Sequence, residues 1–456
     1  MARKKNKRKP TEPIQIVNPF AAGVDLGGTS HWVCLPETVP AEERVREFST
    51  DTVSLKELAE CLEAAGVTSV AMESTSVHWI PLYELLETRG FDVILTDTRQ
   101  ISSVPGRKSD VSDCQWIQQL NACGLLRGAF RPADDIVMFR ELVRMKATLV
   151  EQAAEWLCRI QKELDMMNVR VHRAVSDITG KTGMAMLHAI IDGERAPAKL
   201  AELRDPRCRQ SKEQIERELT GNWRDDHLMN LETALHMYET LAAQEQKVQQ
   251  QILDLIDENR ATEDEAPPPQ KPSKAAAIRK RGEEPARQGL FRLCGVDLTR
   301  ADGVGVENAQ VLLSELGPDL SMFPTEKHFI SYVRLAPSMQ VSGGKKLRGK
   351  KKHSMGSSRA RQAFLNAAVA VRGTPSALGS MYRRLAARRG AGVARFAVAR
   401  RIAQIVYRML RFGTDYTDIG QQAYEERYKE RRLRSIRSSA REFGYCVVPM
   451  ESPPDA

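Results

Sequence analysis

The chain has 456 residues, with 68 Lys and Arg against 59 Asp and Glu, a formal net charge of +9. That length supports two or three domains with real cores, and 42% hydrophobic with 28% charged residues excludes wholesale disorder. Eight scattered cysteines with no C-x-x-C pair exclude a zinc ribbon and a secreted disulfide scaffold, and no apolar run approaches membrane-spanning length.

Residues 1–13 are expected to be a disordered basic arm. Met1 to Pro10 holds six Lys or Arg, with no apolar h-region behind it, so no secretory signal is expected. Residues 14–132 alternate strand and helix patterns. Ala22 to Leu26 is a buried strand ending in Gly27-Gly28; His31 to Leu35 and Arg44 to Phe48 continue it as a meander. A helix follows over Ser54 to Ala65, capped by Thr52 or Ser54 and stopped by Gly66. Thr68 to Met72 is a short strand ending at Glu73, Trp79 to Thr88 a helix stopped by Gly90, and Phe91 to Leu95 another strand. Ser109 then caps a helix that runs to about Leu125. Three strands, a helix and then alternation predict an α/β domain with a mixed sheet.

Residues 133–260 carry apolar positions at helical spacing, over Ile136 to Asn168 and again over Lys212 to Asn259. Two such helices suggest an antiparallel pair or a coiled-coil arm, with a stripe left for dimerisation. Residues 261–289 contain Pro267 to Pro269, Pro272, Pro285 and many charges; a linker without a core is expected. Residues 290–415 form a helical basic domain, and 416–456 a C-terminal helix and tail that frays from Arg437 onward.

Charge is segregated in that basic domain. Between Glu326 and Asp415 there is no acidic residue but twenty Lys and Arg, so the remainder of the chain is net acidic (+9 minus +20 is −11). Such a surface suits phosphate backbones. Gly303 and Gly305, between two apolar helical segments, have the form of a helix-hairpin-helix turn whose second helix offers backbone N–H groups to a phosphate. Lys345, Lys346, Arg348, Lys350, Lys351, Lys352, Arg359 and Arg361 are the expected phosphate neutralisers.

Four acids stand at element ends in the α/β domain: Asp25 and Glu73 after strands, and Asp110 and Asp113, three apart, at the start of a helix. Each alone has an ordinary explanation as a turn, cap or first-turn acid. Gathered in one pocket they would need a counter-charge, since one pair at ~4 Å repels by about 4 kcal/mol at a dielectric near 20. Mg²⁺ suits carboxylate and water ligands, and two such ions can clamp a phosphodiester. Ser342, followed by Gly343-Gly344 and then Lys345-Lys346, has the uncluttered approach and cationic surroundings of a nucleophile aimed at phosphorus.

The order Gly-Val-Asp25, Ala-Met-Glu73-Ser-Thr and Gly-Arg-Lys-Ser-Asp110-Val-Ser-Asp113, with Trp116-Ile117 after it, resembles the DEDD transposases of the insertion-sequence-110 family and their pilin-gene invertase relatives. Leu-Ser-Glu-Leu-Gly317 with Phe323-Pro324, Leu335-Ala336-Pro337, Ser342-Gly343-Gly344-Lys345 and the helix from Arg361 to Ala368 resemble that family's second domain. The resemblance implies a RuvC-like, RNase H-type fold joined by a coiled coil to a serine-bearing domain. It implies that Asp25, Glu73, Asp110 and Asp113 hold Mg²⁺, and that Ser342 attacks DNA to form a covalent phosphoserine. A structured bridge RNA pairing with donor and target DNA is implied too, as are dimers that pair into a tetramer, one subunit's acids serving another's Ser342. The expected setting is the bacterial cytoplasm, on the nucleoid when DNA is bound, without a membrane partner. Two departures stand out: Leu-Gly-Gly-Thr-Ser after Asp25, where many relatives carry a charge, and Ser354-Met355-Gly356 in place of a Lys-x-Gly element.

Three other readings fit parts of the chain. Gly23 to Thr29 also resembles the first phosphate loop of actin-like sugar kinases, but no second phosphate loop or adenosine site follows it. A RuvC-like nuclease would use the acids to activate water and leave Ser342 idle. A non-catalytic nucleic-acid binder would use neither.

Overall fold

The computed structural model describes residues 15–74, 77–96, 110–128, 134–259, 266–336, 341–342, 345–346 and 359–448. The chain divides into two compact units, Met1–Arg131 and Pro132–Ala456.

The first unit is a five-stranded mixed sheet in the order β3-β2-β1-β4-β5. β1 (Ala21–Leu26), β2 (Ser30–Cys34) and β3 (Val45–Ser49) form the antiparallel meander, while β4 (Ser69–Glu73) and β5 (Asp92–Thr96) run parallel to β1. This is the arrangement of an RNase H-like domain. Helices α1 (Thr52–Ala64) and α2 (Trp79–Thr88) cover one face, over a core of Val24, Val33, Leu58, Leu62, Met72, Leu82 and Leu86. The cap of α1 is Asp51, not Thr52 or Ser54: its carboxylate accepts from the Val53 and Ser54 backbone N–H groups. A carboxylate at that position also meets the positive end of the helix. Helix α3 (Asp110–Ala122) covers the other face. Ser109, its expected cap, lies outside the described residues.

In the second unit, α4 (Asp134–Met166) and α9 (Asp225–Glu258) pack as an antiparallel pair. The direction follows from contacts at both ends: Lys146 reaches Glu245 and Gln249, and His227 bonds Glu163. Four short helices, α5 (Val171–Ala174), α6 (Lys181–Ile191), α7 (Pro197–Glu202) and α8 (Lys212–Leu219), fill the connection. They close a separate core with Ile160, Leu164, Met186, Leu187, Ile190 and Leu231. Of this cap only Lys212–Leu219 was expected to be helical, as the start of the second long helix, which instead begins at Asp225; the other three helices are too short to show a clear period. No residue of 144–159 or 236–251, the middle of the pair, is buried.

The expected linker is a correction. Its residues 266–289 dock on the main core through a few buried side chains, and 261–265 lie outside the described residues. The chain forms α10 (Pro272–Lys280) and α11 (Glu284–Cys294), each with a proline in its first turn, and Ile278 and Ala286 are buried. Proline there starts a helix rather than breaking one, because the missing N–H is an orphan anyway. The Pro268 carbonyl and Asp297 accept from Arg287, whose guanidinium is 2.8 Å from the carboxylate, and Gln270 donates to Asp297 and Thr299. The same core takes in Phe139, Val143, Ile252 and Leu255 from the ends of the long pair. Helices α12 (Val306–Leu316), α13 (Glu326–Tyr332), α14 (Arg359–Ala370), α15 (Ala377–Arg389) and α16 (Ala391–Phe412) complete it. Helix α17 (Gly420–Glu442) follows and buries no residue; it runs past Arg437, where fraying was expected. Among the described residues no helix is long and apolar enough to cross a membrane.

Candidate active site

Val24 and Met72 face each other across the parallel β1–β4 ladder, both buried on the α1/α2 side. Side chains alternate along a strand, so the next residue of each, Asp25 and Glu73, stands at the same level on the α3 side. Both are half-buried. They end strands at the carboxyl edge of the parallel part of the sheet, where open α/β folds build their sites.

The placement of α3 decides whether Asp113 joins them. The Asn121 amide donates to the carbonyls of Ala22 (3.0 Å) and Ser69 (3.3 Å), and Gln118 donates to that of Ala21 (3.2 Å). The helix thus runs back along the strands, with its last turns at their beginnings. Eight residues of helix from Asn121 to Asp113 rise about 12 Å, and three of strand from Ala22 to Asp25 about 10 Å. The first turn of α3 therefore lies level with Asp25 and Glu73. The Cys114 thiol, pushed up to about 12, records this neighbourhood: burial is the main cause, then Cys34, then the charge of Asp25.

Gly23 makes this packing possible. A β-carbon there would sit 2.2 Å from the Gln118 nitrogen and 2.6 Å from the Cys114 carbonyl oxygen, both backbone atoms. Gly23, Gln118 and Asn121 are positioning residues that were not expected from the sequence. The available signal was a glycine inside a strand, which often marks close backbone approach.

Asp25, Glu73 and Asp113 are thus brought to one edge, while the side chain of Asp110 lies outside the described residues. Among the described residues no three His, Cys, Asp or Glu side chains already form a cation cage. An all-carboxylate donor set still fits Mg²⁺, which keeps several waters and needs only one or two protein carboxylates.

Ser342 belongs to a short hairpin: β6 (Val341–Ser342) pairs antiparallel with β7 (Lys345–Lys346), and Ser342 stands opposite Lys345. Residues 343–344 between them, the side chains of Ser342, Lys345 and Lys346, and Arg348, Lys350, Lys351 and Lys352 all lie outside the described residues.

The remaining expected contacts divide. Gly303 has φ +86°, and a β-carbon there would lie 2.3 Å from the Ala367 carbonyl oxygen. Its bare Cα lets the turn approach α14 closely. Gly305 has nothing near its β-position and is the N-cap of α12. Arg359 is exposed, whereas Arg361 is half-buried with its guanidinium 5.2 Å from the centre of the Phe396 ring. Several arginines of the acid-free stretch hold the fold together. Arg383 bonds the carbonyls of Arg372 and Thr374, Arg395 that of Leu365, and Arg408 pairs with Glu326. Counting charges therefore overstates the phosphate contacts.

Two family models match the chain. One, a DEDD model of the IS110 type described as a transposase, matches residues 22–169 and so spans Asp25, Glu73, Asp110 and Asp113. The other, described as the transposase IS116/IS110/IS902 family, matches residues 297–383 and spans Ser342. No curated protein matches the chain.

Proposed function

The chain belongs to the IS110 family of DEDD transposases, and we propose that it cuts and rejoins donor and target DNA with Ser342 as nucleophile and Asp25, Glu73, Asp110 and Asp113 as its metal-binding acids. DNA transposition is the activity of the family; the chemistry within it is inferred. The observation that carries the inference is the common level of Asp25 and Glu73 on adjacent parallel strands, with the start of α3 beside them.

The Ser342 hydroxyl attacks a backbone phosphorus. The Oγ–P bond forms, the P–O3′ bond breaks, and the departing 3′ oxygen takes up a proton as the serine gives one up. A 5′-phosphoserine results, and a 3′-hydroxyl from another strand reverses the step and frees the serine. Asp25, Glu73, Asp110 and Asp113 would hold Mg²⁺, which when bound would stabilise charge on the phosphoryl oxygens and make the hydroxyl easier to deprotonate. Arg359 and the cations of residues 345–352 neutralise flanking phosphates, and the start of α12 at Gly305 offers backbone N–H groups.

Guide RNA and assembly follow from the family resemblance. A structured guide RNA supplies sequence recognition, and the chain works as dimers that assemble into tetramers. The middle of the α4–α9 pair supports the second point: Leu149, Trp156, Leu157, Tyr238 and Leu241 are only half-buried there.

Incubation of the protein with DNA and Mg²⁺, followed by denaturing electrophoresis, tests the nucleophile. A protein–DNA adduct is expected, and none with Ser342→Ala. Cleavage without an adduct would favour simple hydrolysis by a RuvC-like nuclease. Sequencing RNA that copurifies with the chain tests the guide.

A further inference from the structure

Helix α17 is about 35 Å long, yet among the described residues it is tied down only at its start. The Arg384 guanidinium lies 3.7 Å from the centre of the Tyr428 ring and 5.1 Å from that of Tyr424, and donates to the Tyr424 hydroxyl. Ser380 donates to Glu425, and Arg383 to Gln421. Beyond Tyr428, among the described residues, no hydrogen bond or ion pair of this helix reaches another element. From Arg431 to Ser439 every residue is exposed.

The free part carries an arginine ridge. Arg427, Arg431, Arg434, Arg437 and Arg441 follow one another in steps of four, three, three and four. Each is the helical neighbour of the next, and the five fall within one third of the circumference. Like charges at this spacing destabilise a helix. Only Arg434 has an ion pair among the described residues, with Glu430 at 3.7 Å. Seven cations face two carboxylates between Arg427 and Glu442. The ridge is left to solvent and counterions within this chain, and a polyanionic partner would supply a denser counter-charge.

We infer that the Arg427–Arg441 ridge is a DNA-binding arm that lies along the phosphates of duplex DNA. This rests on the DNA-rejoining function proposed above. From Arg427 to Arg441 the ridge runs about 21 Å, enough to follow several phosphates. A helix about 10–12 Å wide fits the major groove of B-DNA, about 12 Å across, whereas the major groove of A-form RNA is too narrow for side chains to read. A second copy of the helix is a poor occupant. Leu433, Ile436, Ala440 and Phe443 make a short apolar stripe, but Arg432 and Arg437 flank it and would repel their counterparts.

The test is the salt dependence of binding to a linear DNA duplex by the full-length protein, with and without Arg427→Gln, Arg434→Gln, Arg437→Gln and Arg441→Gln combined. None of these residues is buried and their mutual repulsion is removed, so the variant should melt no lower than the parent. Affinity is expected to fall about tenfold or more, and the slope of log K against log salt by about 3–4. Unchanged affinity and slope would overturn the arm. So would a loss confined to a structured RNA probe, which would make RNA the partner. A Leu433→Ser, Ile436→Ser variant should bind as the parent does. If instead it lost DNA binding and halved the particle mass while the arginine variant behaved normally, the helix would be a self-association element. Failure of the parent chain to bind duplex DNA would count against the broader function, not only against this arm.

Discussion

Gly23 and Gln118 lie so close that a β-carbon on the glycine would stand 2.2 Å from the backbone nitrogen of the glutamine. Neither atom belongs to a flexible side chain, so α3 itself must move if Gly23 is replaced. Gly23→Ala is expected to cost about 1–3 kcal/mol in urea unfolding, the range of an overpacked core. It should also lower strand exchange beyond that loss, because the helix carrying Asp113 shifts against Asp25. Full activity in a destabilised Gly23→Ala protein would show that α3 does not position the acids.

Asn121 tests the same packing from the other end. Its amide serves the Ala22 and Ser69 carbonyls inside the protein. Asn121→Ala leaves both buried acceptors short of a donor, and a loss of about 1–3 kcal/mol is expected in the same assay. Asn121→Asp should do no better, since a carboxylate cannot donate to either carbonyl.

Asp25→Asn and Glu73→Gln preserve shape and remove charge. Each should reduce DNA strand exchange about 100-fold or more while leaving DNA affinity near that of the parent. Parallel loss of affinity and activity would instead make the acids part of a binding surface. Mixing Glu73→Gln protein with Ser342→Ala protein tests assembly. Recovery of activity in the mixture, absent from either alone, is expected if the acids of one chain serve the serine of another.

Lys274 supplies a pH test. Burial is the main reason that its ammonium is lowered to about 8 from 10.5, against the attraction of Asp302 and Asp297. It donates to the carbonyls of Thr299 and Ala301. Below about pH 8 it is charged in folded and unfolded chain alike. Between about 8 and 10.5 the unfolded chain binds the proton more strongly, so stability should rise with pH across that window. In Lys274→Met this contribution should vanish, which paired thermal melts at pH 8 and pH 10 would read. An identical pH response in parent and variant would contradict the assigned burial.

Thiol labelling of the native protein distinguishes buried from open cysteines. Cys158 and Cys446 are exposed and should react quickly. Cys294, half-buried, pushed up to about 12 by that burial and with its one S–H placed to donate to the Leu290 or the Val296 carbonyl, should react far more slowly. Rapid reaction at Cys294 would mean that the α11 packing opens readily.

Local patterns made much of this chain legible from its residues alone. The meander, the alternation that follows it and the two long helices have periods of two and 3.6, and they need no knowledge of distant residues. The ends of β1 and β4 could be seen as acid positions for the same reason. What could not be seen depends on which surfaces meet. Prolines at 272 and 285 have the composition of a linker, but they start helices once Ile278 and Ala286 find a core. Gly303 has the form of a phosphate turn, yet the backbone at Ala367 requires its missing side chain. The common level of Asp25, Glu73 and α3 follows from a strand register and from two buried amides on carbonyls about 100 residues away. Spacing along the chain determines periodicity and charge; packing of distant segments decides which glycine makes a turn, which leaves room for a neighbour, and which acids can share a site.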